Sequence, residues 1–183
     1  APKGFESFKV SMPIWIKDKL FQKYIIKKNL ENFFSSKIKT SKILFTEHHV
    51  SHAASTFYPS TFKKSAIIVM DGVGEWATTS IGIGENNKIK MLSEIHFPHS
   101  IGLLYSAFTF FLGFKVNSGE YKVMGLAPYG RPIYKEKILK NLIKIFDDGS
   151  FQLNEKYFNY STGFTMTNNN FSKLFQMNRR KEN

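Results

Sequence analysis

The sequence has 183 residues, a formal net charge of +12 and no cysteine. Apolar residues make up 42% of it, which is typical of a globular protein and excludes a disordered one. Without cysteine, disulfides and thiolate metal sites are excluded, so any metal ion must be bound by histidine, carboxylate or water. No apolar run reaches the roughly 20 residues that a membrane-spanning helix needs, so we expect no membrane span.

Much of the positive charge lies near the start of the chain. Residues 1–42 contain ten lysines and three acidic residues, hence a net charge of +7. Such a segment binds nucleic acid or an anionic membrane, or it is the solvated face of a lysine-rich helix. No arginine cluster accompanies the lysines, so the sequence favours the solvated helix and no nucleic acid partner. A basic nucleic-acid-binding module stays as an alternative.

The apolar pattern predicts helices and strands along most of the chain. In chain order, we expect a helix at 13–34, a strand at 42–46, a helix at 49–57 and strands at 66–70, 75–83 and 89–97. A helix at 101–112 with Ser100 as a candidate N-cap, helices at 119–126 and 134–146, a strand at 151–153 and a loose polar tail at 176–183 follow. This order of elements indicates an α/β fold class with an antiparallel meander and flanking helices.

Three of the five histidines lie within residues 47–52, whose sequence is EHHVSH. On a helix, His48 and His52 are one turn apart and share a face, a spacing that lets two imidazoles bind one metal ion. His49 and His52 form the alternative pair, three residues apart. A histidine cluster without a metal is equally compatible with this spacing.

Asp71 follows an unbroken apolar run at residues 66–70, which predicts a central buried strand. The strand would deliver Asp71 to its C-terminal end, where Gly72 and Gly74 allow a turn whose N–H groups cradle phosphate. An ordinary Asp-Gly hairpin turn is the alternative. Together with the histidine pair, Asp71 completes a plausible three-ligand site for iron, zinc or manganese.

A third motif, SGEYKVMGLAPYG, occupies residues 118–130. In it, Lys122 is a point charge suited to phosphate, and Glu120 can hold a ribose hydroxyl. A short helix with a glycine cap, followed by a Pro-Tyr-Gly turn, explains the same composition. Composition alone does not separate these two interpretations.

Four blocks of sequence together resemble the O-carbamoyltransferase family, which includes nodulation and antibiotic carbamoyltransferases. The blocks are HHVSHAAS at 48–55, DGVGEW at 71–76, FPHSIGLLY at 97–105 and the motif at 118–130. The similarity runs from about residue 1 to residue 175 and is densest at 47–130. Four blocks in the right order are far more specific than any one of them.

The resemblance implies a ribonuclease-H-like, actin-like ATPase fold with a mixed sheet, of which residues 1–175 form a part. It implies a cytoplasmic transferase in which carbamoyl phosphate and ATP yield carbamoyladenylate. The carbamoyl group then passes to a hydroxyl of a small-molecule or glycan acceptor. A YrdC-like domain would follow in the same full-length protein.

The resemblance also implies roles for individual residues. The metal ligands of the family fall on His48, His52 and Asp71, with iron as the expected ion and zinc or manganese as alternatives. A fourth ligand, a later aspartate, has no counterpart in this sequence.

The turn formed by Asp71, Gly72, Val73 and Gly74 would face the phosphates of ATP and its magnesium ion. Weaker candidates for the nucleotide pocket are Gly102, Glu120 and Lys122. His49 and His99 are candidate acid or base groups, although a histidine at such a position is more often structural.

The sequence also departs from the family pattern. The strand-turn phosphate motif expected before Ala1, the second half of the actin-like fold and the YrdC-like domain are all missing, so we expect an incomplete chain that is inactive alone. A sugar-kinase-like phosphotransferase of the same superfamily is the rival enzyme. It has no need of a histidine pair, because Mg²⁺ prefers oxygen ligands.

Overall fold

The computed structural model describes residues 2–182. Its contacts separate into two compact units, with the division between Thr46 and Glu47. The sequence predicted that residues 1–175 form part of one domain, and it did not indicate a division after Thr46. Across residues 2–182, no helix is both long and apolar enough to cross a lipid bilayer.

The first unit is helical. Helix α1 comprises Phe5–Ile14, continues through a π-helical turn at Trp15–Lys19, and is followed by α2 at Gln22–Phe34. The predicted start at Pro13 is therefore wrong, because Pro13 lies inside α1 rather than in its first turn. The π-helical turn directly follows this proline, whose missing N–H interrupts the regular hydrogen-bond ladder.

The predicted strand at residues 42–46 is absent. A 3-10 turn occupies Thr40–Lys42, and residues 43–46 belong to no helix or strand. A strand needs a neighbour to satisfy its backbone groups, and both sheets of the described residues lie in the second unit. The β-branched and aromatic residues of this segment predicted a strand that has nothing to pair with.

The second unit begins with helix α3 at His48–Phe57 and a three-stranded meander. Strands β1 (Lys64–Gly74), β2 (Ala77–Glu85) and β3 (Lys88–His96) pair in the order β1–β2–β3. Both ladders are antiparallel. The meander is confirmed, whereas the mixed sheet is not found among residues 2–182.

Strand β1 lies at the edge of this sheet, so the predicted central, buried position is wrong. Ile67 and Val69 are buried, but Ile68 is 62% exposed and Met70 is 59% exposed. The face of β1 that carries Ile67 and Val69 is thus covered by α3, whereas Ile68 and Met70 on the other face are exposed. A continuous apolar run does not distinguish this arrangement from a strand buried on both faces.

Small residues on β2 let α3 pack closely on the covered face. A Cβ at Gly84 would lie 2.5 Å from the ring of Phe57, and Ala53 of the same helix is fully buried. Further along β2, the fully buried Ser80 accommodates His49. The helix therefore rests directly on the strand backbone.

A second cluster of buried residues lies beyond the meander. It joins helix α4 (Ile101–Phe111) to the hairpin of β4 (Ile143–Ile145) and β5 (Phe151–Leu153), and to helix α7 (Asn169–Phe175). The fully buried Phe171 lies within this cluster. Helix α7 was not predicted, because its asparagine-rich start favours loops; Asn168 caps it through its side chain.

Two short helices connect these elements, and both alter predicted boundaries. Helix α5 comprises Glu120–Leu126, and α6 comprises Lys135–Asn141. The predicted helix at 134–146 is too long, because β4 begins two residues after α6 ends. The tail at 176–182 is less loose than expected, since Arg179 Nε donates to Phe110 O and Arg180 N donates to Phe111 O.

One buried hydroxyl in β2 yields a stability prediction. Thr79 Oγ1 is buried and has no hydrogen-bond partner among residues 2–182. Thr79→Val replaces the hydroxyl by a methyl group of the same shape, so it removes a desolvation cost that nothing offsets. We expect the free energy of unfolding to rise by about 1 kcal/mol, measured by urea denaturation. A loss of stability would show that the hydroxyl has a partner.

Candidate metal centre

The candidate centre lies where the start of α3 meets the end of β1. Helix α3 begins at His48, so His48 and His52 lie one turn apart on its surface, as the sequence predicted. Asp71 lies near the C-terminal end of β1. The helix and the strand thus bring together residues that are 23 positions apart in sequence.

The three side chains converge at short distances. His48 Nε2 lies 2.8 Å from Asp71 Oδ2 and 3.0 Å from His52 Nε2, and His52 Nε2 lies 3.9 Å from Asp71 Oδ2. Ligand atoms around one ion with bonds of about 2.1 Å lie about 3.0 to 3.4 Å apart. The set therefore has the spacing of a three-ligand site, and its ligand atoms lie close enough together to bind one metal ion.

The hydrogen-bonding state of the cluster is also suited to a cation. His48 Nε2 carries at most one proton, yet it lies within hydrogen-bond distance of both Asp71 Oδ2 and His52 Nε2. Asp71 Oδ1 is buried and has no hydrogen-bond partner among the described residues. Imidazole nitrogens and a carboxylate are ligands that iron, zinc and manganese accept. The side chains thus fit the metal ion that the sequence suggested.

The chain around Asp71 is a bulge in β1 rather than a hairpin turn. Met70 pairs with Thr79 and Gly74 pairs with Ala77, so three residues of β1 face one residue of β2. The hairpin turn comes later, where Glu75 adopts a left-handed φ of 60°. A bulge bends the strand and re-aims its side chains, which directs Asp71 toward α3. The turn expected directly after Asp71 is thus displaced toward the end of the strand.

The two glycines of the bulge differ in what lies beside them. A Cβ at Gly74 would overlap Cδ2 of the His48 ring and lie 3.0 Å from Asp71 Oδ2. A Cβ at Gly72 would meet nothing within 4 Å, and Val73 is 42% exposed. Gly74 therefore makes room for His48, whereas the space beside the Cα of Gly72 is open.

Helix α4 holds the bulge from the other side. The fully buried Ser100 caps α4 by accepting from Leu103 N, and its hydroxyl faces Gly72 O at 2.7 Å and Asp71 O at 3.1 Å. A Cβ at Gly102 would lie 2.5 Å from Asp71 O. Gly102 was a weak nucleotide candidate, and here it lets the start of α4 touch the backbone of Asp71. The N-cap at Ser100 was predicted, but this contact was not.

The two candidate acid or base histidines occupy different settings. His49 is 3% exposed, and its Nε2 lies 3.8 Å from Asp71 Oδ2. His99 is half-buried, and its Nδ1 accepts a hydrogen bond from Leu153 N in β5. His49 thus belongs to the cluster, whereas His99 ties the start of α4 to the β4–β5 hairpin.

The residues of the third motif lie on or beside α5. Glu120 accepts hydrogen bonds from Asn117 N, Gly119 N and the Ser106 hydroxyl, so its carboxylate holds the start of this helix. Lys122 is exposed, and its Nζ lies 5.9 Å from the centre of the Phe114 ring. A nucleotide role for both residues stays a prediction.

The surroundings of Glu120 shift its acidity. Burial raises the pKa of the Glu120 carboxyl, but the hydrogen bonds from Asn117, Ser106 and Gly119 together outweigh burial and hold the pKa below its ordinary value of 4.5. Because the folded-state pKa is depressed, the ionised carboxylate stabilises the fold above the unfolded value. This stabilisation is lost as pH falls through the folded-state pKa.

We therefore expect Glu120→Gln to lower the free energy of unfolding at pH 7. This loss of stability should shrink as pH falls from 4.5 through the lower folded-state pKa, because the wild-type carboxyl loses its charge over that range. Urea denaturation across this pH range measures both effects. Glu136→Gln, at an exposed glutamate of α6, is the control and should leave stability nearly unchanged. A deficit for Glu120→Gln that is independent of pH would contradict this account.

The two bulge glycines provide a matched pair of variants for the metal centre. Gly74→Ala should push the His48 ring away from Asp71 and weaken Zn²⁺ binding about 10- to 100-fold, as perturbation around metal ligands does. Gly72→Ala adds the same methyl group in open space and should leave the dissociation constant unchanged. Calorimetric titration of both variants compares them. Equal effects would show that His48 does not depend on the space beside Gly74.

Comparison with known proteins identifies the family of this chain. The profile of the family described as "Carbamoyltransferase N-terminus" matches residues 1–183. An uncharacterized protein of Synechocystis, sll1178, is 56% identical over 181 residues, which are 98% of this chain and 29% of that protein. The nodulation protein NolNO of Sinorhizobium fredii is 34% identical over 131 residues, or 72% of this chain and 19% of that protein.

A further relative, the nodulation protein NolO of Bradyrhizobium diazoefficiens, is 33% identical over 106 residues. These cover 58% of this chain and 19% of NolO, so the chain spans less than a third of the length of the curated relatives it matches. The profile covers the helical unit as well as the candidate centre. On this match, the chain belongs to the carbamoyltransferase family and corresponds to its N-terminal part.

Proposed function

We propose that this chain supplies the metal-binding part of an O-carbamoyltransferase. The observation that carries the proposal is the convergence of His48, His52 and Asp71, whose ligand atoms lie 2.8 to 3.9 Å apart. Membership of the carbamoyltransferase family supports the transfer chemistry. A kinase would use oxygen ligands for Mg²⁺ and would have no need of two converging imidazoles.

The proposed reaction has two stages. In the first, water cleaves carbamoyl phosphate to carbamate and phosphate, and a carbamate oxygen attacks the α-phosphorus of ATP, which gives carbamoyladenylate and releases pyrophosphate. In the second, the oxygen of an acceptor hydroxyl attacks the carbamoyl carbon, the bond from that carbon to the phosphate oxygen of AMP breaks, and AMP leaves. The hydroxyl proton is released to a base or to water. The products are the carbamoylated acceptor and AMP.

The residues of this chain have distinct tasks in the proposal. His48, His52 and Asp71 would hold an iron, zinc or manganese ion, which when bound supplies a Lewis acid for charge that develops on the carbamoyl oxygen. The open backbone at Gly72 would face the phosphates of ATP and its Mg²⁺. Ser100 keeps that backbone in place through its hydroxyl. The chain would thus bind and orient ATP and the carbamoyl donor, which are two of the three reaction partners.

Other parts of the proposal concern the whole protein. The acceptor would be a hydroxylated small molecule or a glycan, and a YrdC-like domain in the same polypeptide would complete the active site. We place the reaction in the cytoplasm, where ATP and carbamoyl phosphate are available. The chain covers 29% of the Synechocystis relative, which leaves ample sequence for the second half of a cleft.

The test uses the full-length protein and labelled carbamoyl phosphate. We expect label to appear in the acceptor and AMP to be released only when ATP is present. His52→Ala should lower the rate about a hundredfold or more, because loss of a ligand reduces metal occupancy and the charge stabilisation that depends on it. The isolated chain should show little turnover, because in this proposal the active site is completed by other parts of the full-length protein.

The control is His96→Ala, at an exposed histidine of β3 that contacts Glu94. It removes an imidazole outside the cluster and should leave the rate unchanged. An equal rate for His52→Ala and the wild type would remove His52 from the mechanism. Phosphorylated acceptor in place of carbamoylated acceptor would assign the protein to the kinases.

A further inference from the structure

A buried histidine and a buried serine lie directly behind the candidate metal centre. His49 is 3% exposed and Ser80 is fully buried, and His49 Nδ1 lies 2.5 Å from Ser80 Oγ. The other ring nitrogen, Nε2, lies 3.8 Å from Asp71 Oδ2. This Nε2 is buried and has no hydrogen-bond partner within residues 2–182. A chain of polar groups therefore runs from β2 through α3 to the carboxylate.

The direction of the short hydrogen bond decides what His49 presents to Asp71. If Ser80 donates, the neutral imidazole keeps its proton on Nε2, and this N–H faces a carboxylate. If Nδ1 donates instead, Nε2 turns a lone pair toward the carboxylate, and the Ser80 proton finds no acceptor among the described residues. Only the first arrangement pairs the Ser80 proton and turns a proton, not a lone pair, toward the carboxylate, so the geometry favours Ser80 as the donor.

The carboxylate of Asp71 also needs a second donor once an ion is bound. Its one side-chain hydrogen bond is the contact of Oδ2 with His48 Nε2, and Oδ1 has no partner among the described residues. A histidine that binds a metal ion through Nε2 uses the lone pair of that nitrogen, so it can no longer donate a proton from it. His49 is then the group positioned to hold the carboxylate.

We propose that Ser80 and His49 form a buried positioning pair for Asp71. Ser80 holds His49 as the Nε2–H tautomer, and this N–H orients the carboxylate toward His48 and His52. The separation of 3.8 Å exceeds a direct hydrogen bond, so the N–H acts by electrostatic attraction and by a small movement of the carboxylate. The proposal rests on the metal centre proposed above, and it assigns His49 a positioning role in place of acid or base catalysis.

The same geometry leaves His49 no open path to exchange protons with a substrate. Its Nδ1 is bound to Ser80, its Nε2 lies behind Asp71, and the ring is almost fully buried. His48 and His52, in contrast, have side chains that are 43% and 52% exposed. Within the HHVSH motif, His49 thus faces the sheet, whereas His48 and His52 face the open side of the centre.

The experiment measures the tautomer of His49 and the ion affinity of the centre. In the metal-free chain labelled with ¹⁵N-histidine, long-range ¹H–¹⁵N spectra should show the Nε2–H tautomer for His49, whose signals are identified by their loss in His49→Gln. In Ser80→Ala, the tautomer should become mixed. The Zn²⁺ dissociation constant should rise about 10- to 100-fold in Ser80→Ala and in His49→Phe. His49→Gln should bind more tightly than His49→Phe, because its amide N–H can replace Nε2–H.

The matched control is Thr79→Val, which removes the neighbouring hydroxyl of β2 and should leave the tautomer and the affinity unchanged. Circular dichroism of each variant reports folding, and Ser80→Ala keeps the test open if His49→Phe fails to fold. A wild-type Nδ1–H tautomer, or equal Zn²⁺ affinity for Ser80→Ala and the wild type, would overturn the positioning pair. If the wild type takes up no Zn²⁺, Fe²⁺ or Mn²⁺, the proposed metal centre fails, whereas the tautomer in the metal-free chain still decides the role of Ser80.

Discussion

The close packing of helix α3 on strands β1 and β2 is the constraint on which the rest of the second unit depends. A helix that carries three histidines in its first turns must approach the sheet without steric overlap. Gly84 admits the ring of Phe57, Ser80 admits His49, and Gly74 admits the edge of His48. A larger residue at any of these positions would lift part of the helix. The small residues thus determine the distance between the imidazoles and Asp71.

The second requirement is that the end of β1 bends toward the helix. A regular strand would send Asp71 and its neighbours alternately to the two faces of the sheet. The bulge between Met70 and Gly74 breaks this alternation, and the cap of α4 holds it through Ser100 and Gly102. The site is therefore assembled by three elements, of which only α3 and β1 contribute candidate ligands. Helix α4 contributes rigidity to the backbone that carries the third ligand.

The sequence predicted the parts of this site that depend on local periodicity. The spacing of His48 and His52 required only a helix, and the N-cap at Ser100 was recognisable from the residue type and the apolar run that follows. The position of β1 was not predictable in the same way. Its apolar run is compatible with a central strand and with an edge strand, and only the partners present in the chain decide between them.

Tertiary contacts explain the other differences between the sequence predictions and the structure. The roles of Gly74 and Gly102 depend on side chains and backbone that are distant in sequence, so a local pattern could suggest turns but not close approach. His49 was recognised as part of the motif, but its burial against Ser80 depends on the register of β2. The strand expected at 42–46 shows the converse case, in which local preference is present and the partner strand is absent.

The outer edge of β1 has a consequence for handling the chain by itself. Within the second unit, no described strand pairs with this edge, and Ile68 and Met70 project from the open face beside it. Unpaired backbone groups next to exposed apolar side chains form a template for another strand. Isolated copies can therefore add to one another edge to edge, and the net charge of +12 opposes this through charge repulsion. Salt, by screening that repulsion, should promote aggregation of the chain.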